Sequence, residues 1–117
     1  LNGYLGADNL DGGDGSDKYY VDNAGDTITE PSTPGADTAY LRMPGSTATG
    51  PASFVMPDNL DDVYRPAGYG AINIVGNASS NKITGSSEDD QLSGEDGADW
   101  LMGGLGGDAL IGGAGNG

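Results

Sequence analysis

From Gly76 to Gly117 the chain repeats itself every nine residues, and this period constrains the fold more than any other feature. The run divides into GNASSNKIT, GSSEDDQLS, GEDGADWLM, GGLGGDALI and a shortened GGAGNG. Glycine opens each unit, at Gly76, Gly85, Gly94, Gly103 and Gly112. The sixth position holds Asn81, Asp90, Asp99 and Asp108, and the eighth holds Ile83, Leu92, Leu101 and Leu110. An oxygen-bearing side chain and an aliphatic one therefore recur two residues apart, which turn chemistry alone does not explain. Glycines at positions one, two and four let the backbone take positive φ and turn its carbonyls inward, where a residue with a Cβ resists. The residues that follow read as a very short strand, with the aliphatic side chain on one face and its neighbours on the other. Two units make one coil of eighteen residues, so position six of one coil comes near position six of the next. Calcium takes about six to eight hard oxygens from carboxylates and carbonyls. Two stacked turns can supply them.

The same register runs through the beginning of the chain. GYLGADNLD (Gly3 to Asp11) and GGDGSDKYY (Gly12 to Tyr20) place Asp8 and Asp17 at position six, with Leu10 and Tyr19 at position eight. VDNAGDTIT (Val21 to Thr29) keeps the spacing without the leading glycines and supplies Asp26 and Ile28. Asp8 and Asp26 are eighteen residues apart and are expected to share an ion; Asp17 and Asp37, twenty apart, form a weaker pair. From Tyr40 to Tyr69 the repeat dissolves into prolines, glycines and short apolar runs. This middle is a loop excursion or, the favoured reading, a set of degenerate coils in which side-chain packing replaces metal. In AGYGAINIV (Ala67 to Val75), Ile74 returns to position eight while Ile72 occupies position six, where it can bury but cannot bind calcium. Three segments follow: N-terminal coils over 1–37, a Pro/Gly-rich middle over 38–75 and a C-terminal array over 76–117, expected to be one continuous solenoid. Both ends fall inside a repeat, as in a segment of a longer protein.

The unit G-G-x-G-x-D-x-U-x, with U aliphatic, resembles the RTX (repeats-in-toxin), hemolysin-type family of calcium-binding nonapeptide repeats. The blocks YYVDNAGDTITE and INIVGNASSNKITGS are similar to linking segments in its large secreted members from Gram-negative bacteria. The resemblance implies an all-β fold, a right-handed parallel β-roll (a β-solenoid) with calcium-binding glycine-rich turns along both edges. The metal ligands it implies are Asp8, Asp17, Asp26, Asp37, Asn81, Asp90, Asp99 and Asp108 at position six, with the turn glycines Gly12, Gly13, Gly15, Gly85, Gly94, Gly97, Gly103, Gly104, Gly106 and Gly112. Asn81 replaces the aspartate, and Ser79 and Glu88 replace glycine at position four, so Asp90 with Asp108 is the pair expected to bind best. Asp14, Glu88, Asp89, Glu95 and Asp96 read as background charge. The resemblance further implies type I secretion, unfolded through the cytosol and folded outside the cell or at its surface.

Composition agrees with a chain that needs metal to fold. Leu, Ile, Val and Phe make up only 19 of 117 residues, and 18 acidic residues face 4 basic ones for a net charge of -14. Such a chain repels itself until cations neutralise it, which makes metal binding and folding one event. With no Cys and no His, disulfides and the usual zinc or transition-metal sites are excluded. Four scattered cations, Lys18, Arg42, Arg65 and Lys82, argue against nucleic acid or anionic membranes. No apolar stretch approaches the roughly 20 residues of a membrane span. An enzyme would have to work with carboxylate pairs such as Glu88 and Asp89 or Asp61 and Asp62, and the expectation is that it is not one. Trp100 and Met102, at outward positions seven and nine, are a contact surface for the chain's own middle, a neighbouring module, a glycan, or a second copy stacked head to tail in a fibre. An adhesion or assembly module, or a non-catalytic appendage of a secreted enzyme, is the alternative to a purely structural calcium module.

Overall fold

The computed structural model describes residues 6–23, 25–30, 35–42, 52–66 and 68–113. Each short apolar-polar alternation forms a strand, and none of the described residues is helical. The strands are β1 (Asn9–Asp11), β2 (Lys18–Val21), β3 (Thr27–Thr29), β4 (Thr38–Leu41), β5 (Ala52–Val55), β6 (Asp62–Tyr64), β7 (Ile72–Val75), β8 (Lys82–Thr84), β9 (Gln91–Ser93), β10 (Trp100–Met102) and β11 (Ala109–Ile111). Even-numbered strands make one sheet in the order β10-β8-β6-β4-β2. Odd-numbered strands make a second, β11-β9-β7-β5, and a separate pair, β1-β3. Every pairing is parallel, between strands two apart in the chain. This is an all-β parallel β-solenoid.

Register shows how the coils absorb irregular sequence. Leu10 aligns with Ile28, Ile83 with Leu101 and Leu92 with Leu110, each eighteen residues apart. Tyr19 aligns with Ala39, Phe54 with Ile74 and Val63 with Ile83, twenty apart, and Ala39 with Val63, twenty-four apart. The extra residues sit in turns, where added length costs little. Pro57 and Pro66 follow β5 and β6 instead of interrupting them, since proline has no N–H to give a ladder. The described strands of the proline-rich middle therefore lie in the same two sheets as the glycine-rich arrays.

Position eight points inward all along. Tyr19, Ala39, Val63 and Ile83 come from one sheet, Phe54, Ile74 and Leu92 from the second, and Leu10 and Ile28 from the separate pair, all buried. Burying each large one contributes about 1.5–3 kcal/mol, so the core is one file of side chains and every coil depends on its neighbours. At the last described coil the file opens, and Leu110 is 49% exposed. On the outer face Tyr20 stacks on Tyr40 at 5.3 Å between ring centroids, and Tyr40 meets Tyr64 edge-on at 5.8 Å. Trp100 is 63% exposed, with the Lys82 Nζ 5.6 Å from its ring.

Candidate calcium-binding edges

Position six begins where a turn becomes a strand, and there each coil is tied to the next. The backbone N–H of Asp8 donates to Asp26 Oδ1 at 2.8 Å, that of Asp17 to Asp37 Oδ1 at 2.7 Å and that of Asp37 to Asp61 Oδ2 at 3.0 Å. Asn81 donates to Asp99 Oδ1 at 2.8 Å, Ile72 to Asp90 Oδ1 at 3.0 Å and Asp90 to Asp108 Oδ1 at 2.9 Å. One edge therefore carries Asp17, Asp37, Asp61, Asn81 and Asp99, and the other carries Asp8 and Asp26, then Ile72, Asp90 and Asp108. Asp61 is absent from the expected ligands. Only strand register exposes it, because the 24-residue coil before it breaks the count.

Glycine at position one serves close approach, which corrects the expectation of positive φ there. Among the described glycines, positive φ falls on Gly13, Gly68, Gly104 and Gly113 at position two and on Gly6, Gly15, Gly70, Gly97 and Gly106 at position four, but not on Gly12, Gly76, Gly85, Gly94 or Gly103. A Cβ on Gly94 would lie 2.5 Å from Asp99 Oδ2, and one on Gly85 would lie 2.8 Å from Asp90 Oδ2 and 2.6 Å from the Gly103 carbonyl oxygen. The missing side chain leaves room for the carboxylate to fold back over its own turn. Where the pattern lapses, position one carries a side chain, and Val21, Leu41, Arg65, Glu30 and Met56 are all buried. Ser79 and Glu88, at position four without glycine, sit in turns closed from position two: Ser79 N–H donates to Asn77 Oδ1 at 2.9 Å and Glu88 N–H to Ser86 Oγ at 3.1 Å.

The carboxylates differ in what remains free. Asp26 Oδ2 accepts from the N–H groups of Asp22 and Asn23, and Asp90 Oδ2 accepts from the N–H and hydroxyl of Ser86. With their Oδ1 atoms in the ladder, both carboxylates accept hydrogen bonds at each oxygen. Asn81 is engaged as well: its Oδ1 accepts from Asn77 N–H, and its Nδ2 donates to the carbonyls of Leu60 and Asp61. By contrast, Asp8 Oδ2, Asp17 Oδ2 and Asp99 Oδ2 are buried with no partner. An orphaned buried oxygen costs about 1–3 kcal/mol, more when charged. Hard oxygens without nitrogen or sulfur fit calcium, and those of Asp17 and Asp99 lie beside Gly12 and Gly94. Burial pushes the Glu30 carboxyl above its ordinary range, the Tyr19 hydroxyl opposes that shift, and the neighbouring Asp37 and Asp17 charges add to it.

Two junctions have side-chain donors of their own. Arg65, 1% exposed, aligns with Gly85 at position one. Its guanidinium donates to the carbonyls of Leu41 at 3.1 Å, Tyr69 at 2.8 Å and Gly70 at 3.0 Å. Burial pulls its pKa down, and the Asp90 charge acts in the opposite sense. In the coil where Ile72 displaces the carboxylate, a tethered cation gathers turn carbonyls as an ion would. At the other junction Asn77 Nδ2 donates to the carbonyls of Pro57 at 2.8 Å and Leu60 at 2.9 Å, beside the Asn81 amide. Neither device was visible in the sequence, where Arg65 reads as one of a few scattered cations.

These edges define a class: a parallel β-solenoid whose turns bring carboxylates and carbonyls together between coils. The model of the RTX calcium-binding nonapeptide repeat matches the chain in four copies, over residues 1–28, 75–110 and 84–117. Those spans cover more than half of the chain, and the chain belongs to that family of calcium-binding repeats. No curated protein and no solved structure matches it. No helix among the described residues is long and apolar enough to cross a membrane.

Replacing Arg65 by Met would keep the apolar stem and strip three carbonyls of their donor. Urea unfolding in saturating calcium is expected to show a loss of about 2–4 kcal/mol. A loss below about 0.5 kcal/mol, the size of an ordinary surface change, would mean that the guanidinium holds nothing together.

Proposed function

We propose that the chain is a calcium-folded structural module, non-catalytic, in which ions between coils neutralise the acidic edges and complete the solenoid. The observation that carries this reading is the set of buried, unpartnered oxygens on Asp8, Asp17 and Asp99. Asp17 and Asp99 on one edge and Asp8 on the other, with turn carbonyls of adjoining coils, would hold calcium, whose charge offsets the repulsion of a chain at -14. The setting we infer is extracellular, in or on a bacterium, after type I secretion. The acidic, apolar-poor composition supports it, since such a chain stays open where calcium is scarce and closes where it is abundant. The test separates ligands from background charge. Asp99→Asn keeps the Oδ1 acceptor for Asn81 N–H and removes the charge, and Gly94→Ala fills the space beside Asp99. Each is expected to raise the calcium midpoint of folding several-fold, while Glu88→Gln leaves it nearly unchanged. Equal shifts for all three would contradict the assignment.

A second reading is favoured by the last described coil. Leu110, at an inward position, is 49% exposed beside Leu105 at 74% and Ile111 at 59%, and β10 and β11 each pair on one side only among the described strands. A following coil would cover both the apolar end and the strand edges, and a second copy stacked there is one source of it. Calcium-saturated protein is then expected to self-associate in sedimentation velocity, and Leu110→Lys to reverse it. A monomer at high concentration would count against the stacked form.

A further inference from the structure

The nine-residue pattern has glycine at position one and an aliphatic at position eight, and near the start of the chain both rules fail together. Glu30 opens a unit in place of glycine, and Tyr19 stands where an aliphatic belongs. The two meet: the Tyr19 hydroxyl donates to Glu30 Oε2 and itself accepts from Gly12 N–H at 3.0 Å. Asn59 Nδ2 donates to the Glu30 carbonyl at 3.0 Å, fixing the backbone on which the carboxylate stands. Glu30 is 7% exposed, and its carboxylate turns toward the edge where Asp17 and Asp37 lie. One oxygen from each of the three falls within 4.8 Å of the others.

We propose that Asp17, Glu30 and Asp37 form a calcium site of their own, with Glu30 as an off-pattern ligand and Tyr19 as the residue that positions it. The proposal rests on the calcium-folding reading above and adds a ligand that the repeat pattern does not contain. Two oxygens point to an occupant. Glu30 Oε1 and Asp17 Oδ2 are both buried and have no partner, although Glu30 Oε2 and the Asp17 and Asp37 backbones are fully engaged around them. Ionised carboxylates that close repel one another strongly where burial weakens solvent screening, and here three converge. A cation offsets that repulsion and satisfies the orphaned oxygens at once. Its chemistry is restricted to hard oxygen donors, which select calcium or a lanthanide of similar size. Magnesium, which demands strict octahedral geometry and gives up water reluctantly, fits less well. With three carboxylates in place of the usual two, this junction binds more tightly than the others, since affinity in oxygen-ligand sites follows ligand charge.

The experiment is calorimetric titration of the full chain with calcium chloride, wild type against Glu30→Gln, with circular dichroism at saturating calcium to confirm that both reach the same fold. Glu30→Gln is expected to lose the tightest site, or to weaken it by about tenfold or more. A wild type that neither binds nor folds with calcium would overturn the functional reading itself. A wild type that does both, beside a Glu30→Gln protein with the same stoichiometry and affinity, would overturn this proposal alone and leave Glu30 as a buried structural acid. Should Glu30→Gln fail to fold, terbium(III) emission excited through tyrosine decides the matter in a Trp100→Phe background. An ion held by Glu30 lies against the Tyr19 phenol, so adding Tyr19→Phe should remove most of that emission. Undiminished emission would place the ion elsewhere and reject the site.

Discussion

Stacking coils edge to edge lines up negative oxygens, and the rest of the structure depends on how each junction answers that. The backbone N–H at position six satisfies one carboxylate oxygen of the following coil, as from Asn81 to Asp99 at 2.8 Å. The second oxygen, and the carbonyls that the turns direct into the gap, still need a positive partner. Three answers coexist in the chain. Some junctions leave an open carboxylate oxygen, as at Asp8, Asp17 and Asp99. One inserts the guanidinium of Arg65 among the carbonyls of Leu41, Tyr69 and Gly70. One uses the side-chain amides of Asn77 and Asn81. An open carboxylate oxygen, a tethered cation and a neutral donor thus occupy equivalent junctions of one solenoid.

Much of this was legible in the nine-residue period because two independent constraints recur in it. Position eight is buried wherever the coil continues, so Ile83, Leu92 and Ile74 could be placed inward from spacing alone. Position six marks the ladder for Asp8, Asp17, Asp26 and Asp90. Asp61 escaped because insertions in the turns shift the count while strand pairing restores it, and pairing is a property of three dimensions. Arg65 escaped because a buried guanidinium differs from a solvated one only in what surrounds it. Glycine at position one was recognised, but its reason was misplaced: the tight contact between Gly94 and Asp99 is one of distance, and the left-handed turn falls to Gly97 and Gly106. The spacing gave no sign of Ser86 at position two as a partner of Asp90, whose Oδ2 accepts from its N–H and hydroxyl.

The energetic consequence is a solenoid of uneven character. The middle coils carry Leu41, Met56, Leu60 and Val63 inside, with Arg65 and the asparagine amides at their edges, and so gain stability from packing and internal donors. The C-terminal array has glycine at position one, where Leu41, Met56 and Arg65 stand in the middle coils. Because each coil leans on its neighbours, a middle that needs less metal can template arrays that need more.

The most direct test of the account is a far-UV circular dichroism titration of the chain with calcium, from chelator to about 10 mM, with magnesium in parallel, a range set by extracellular calcium modules. The account predicts a cooperative gain of β signal with calcium and little response to magnesium. A full β signal already present in chelator, or an equal response to both ions, would contradict it.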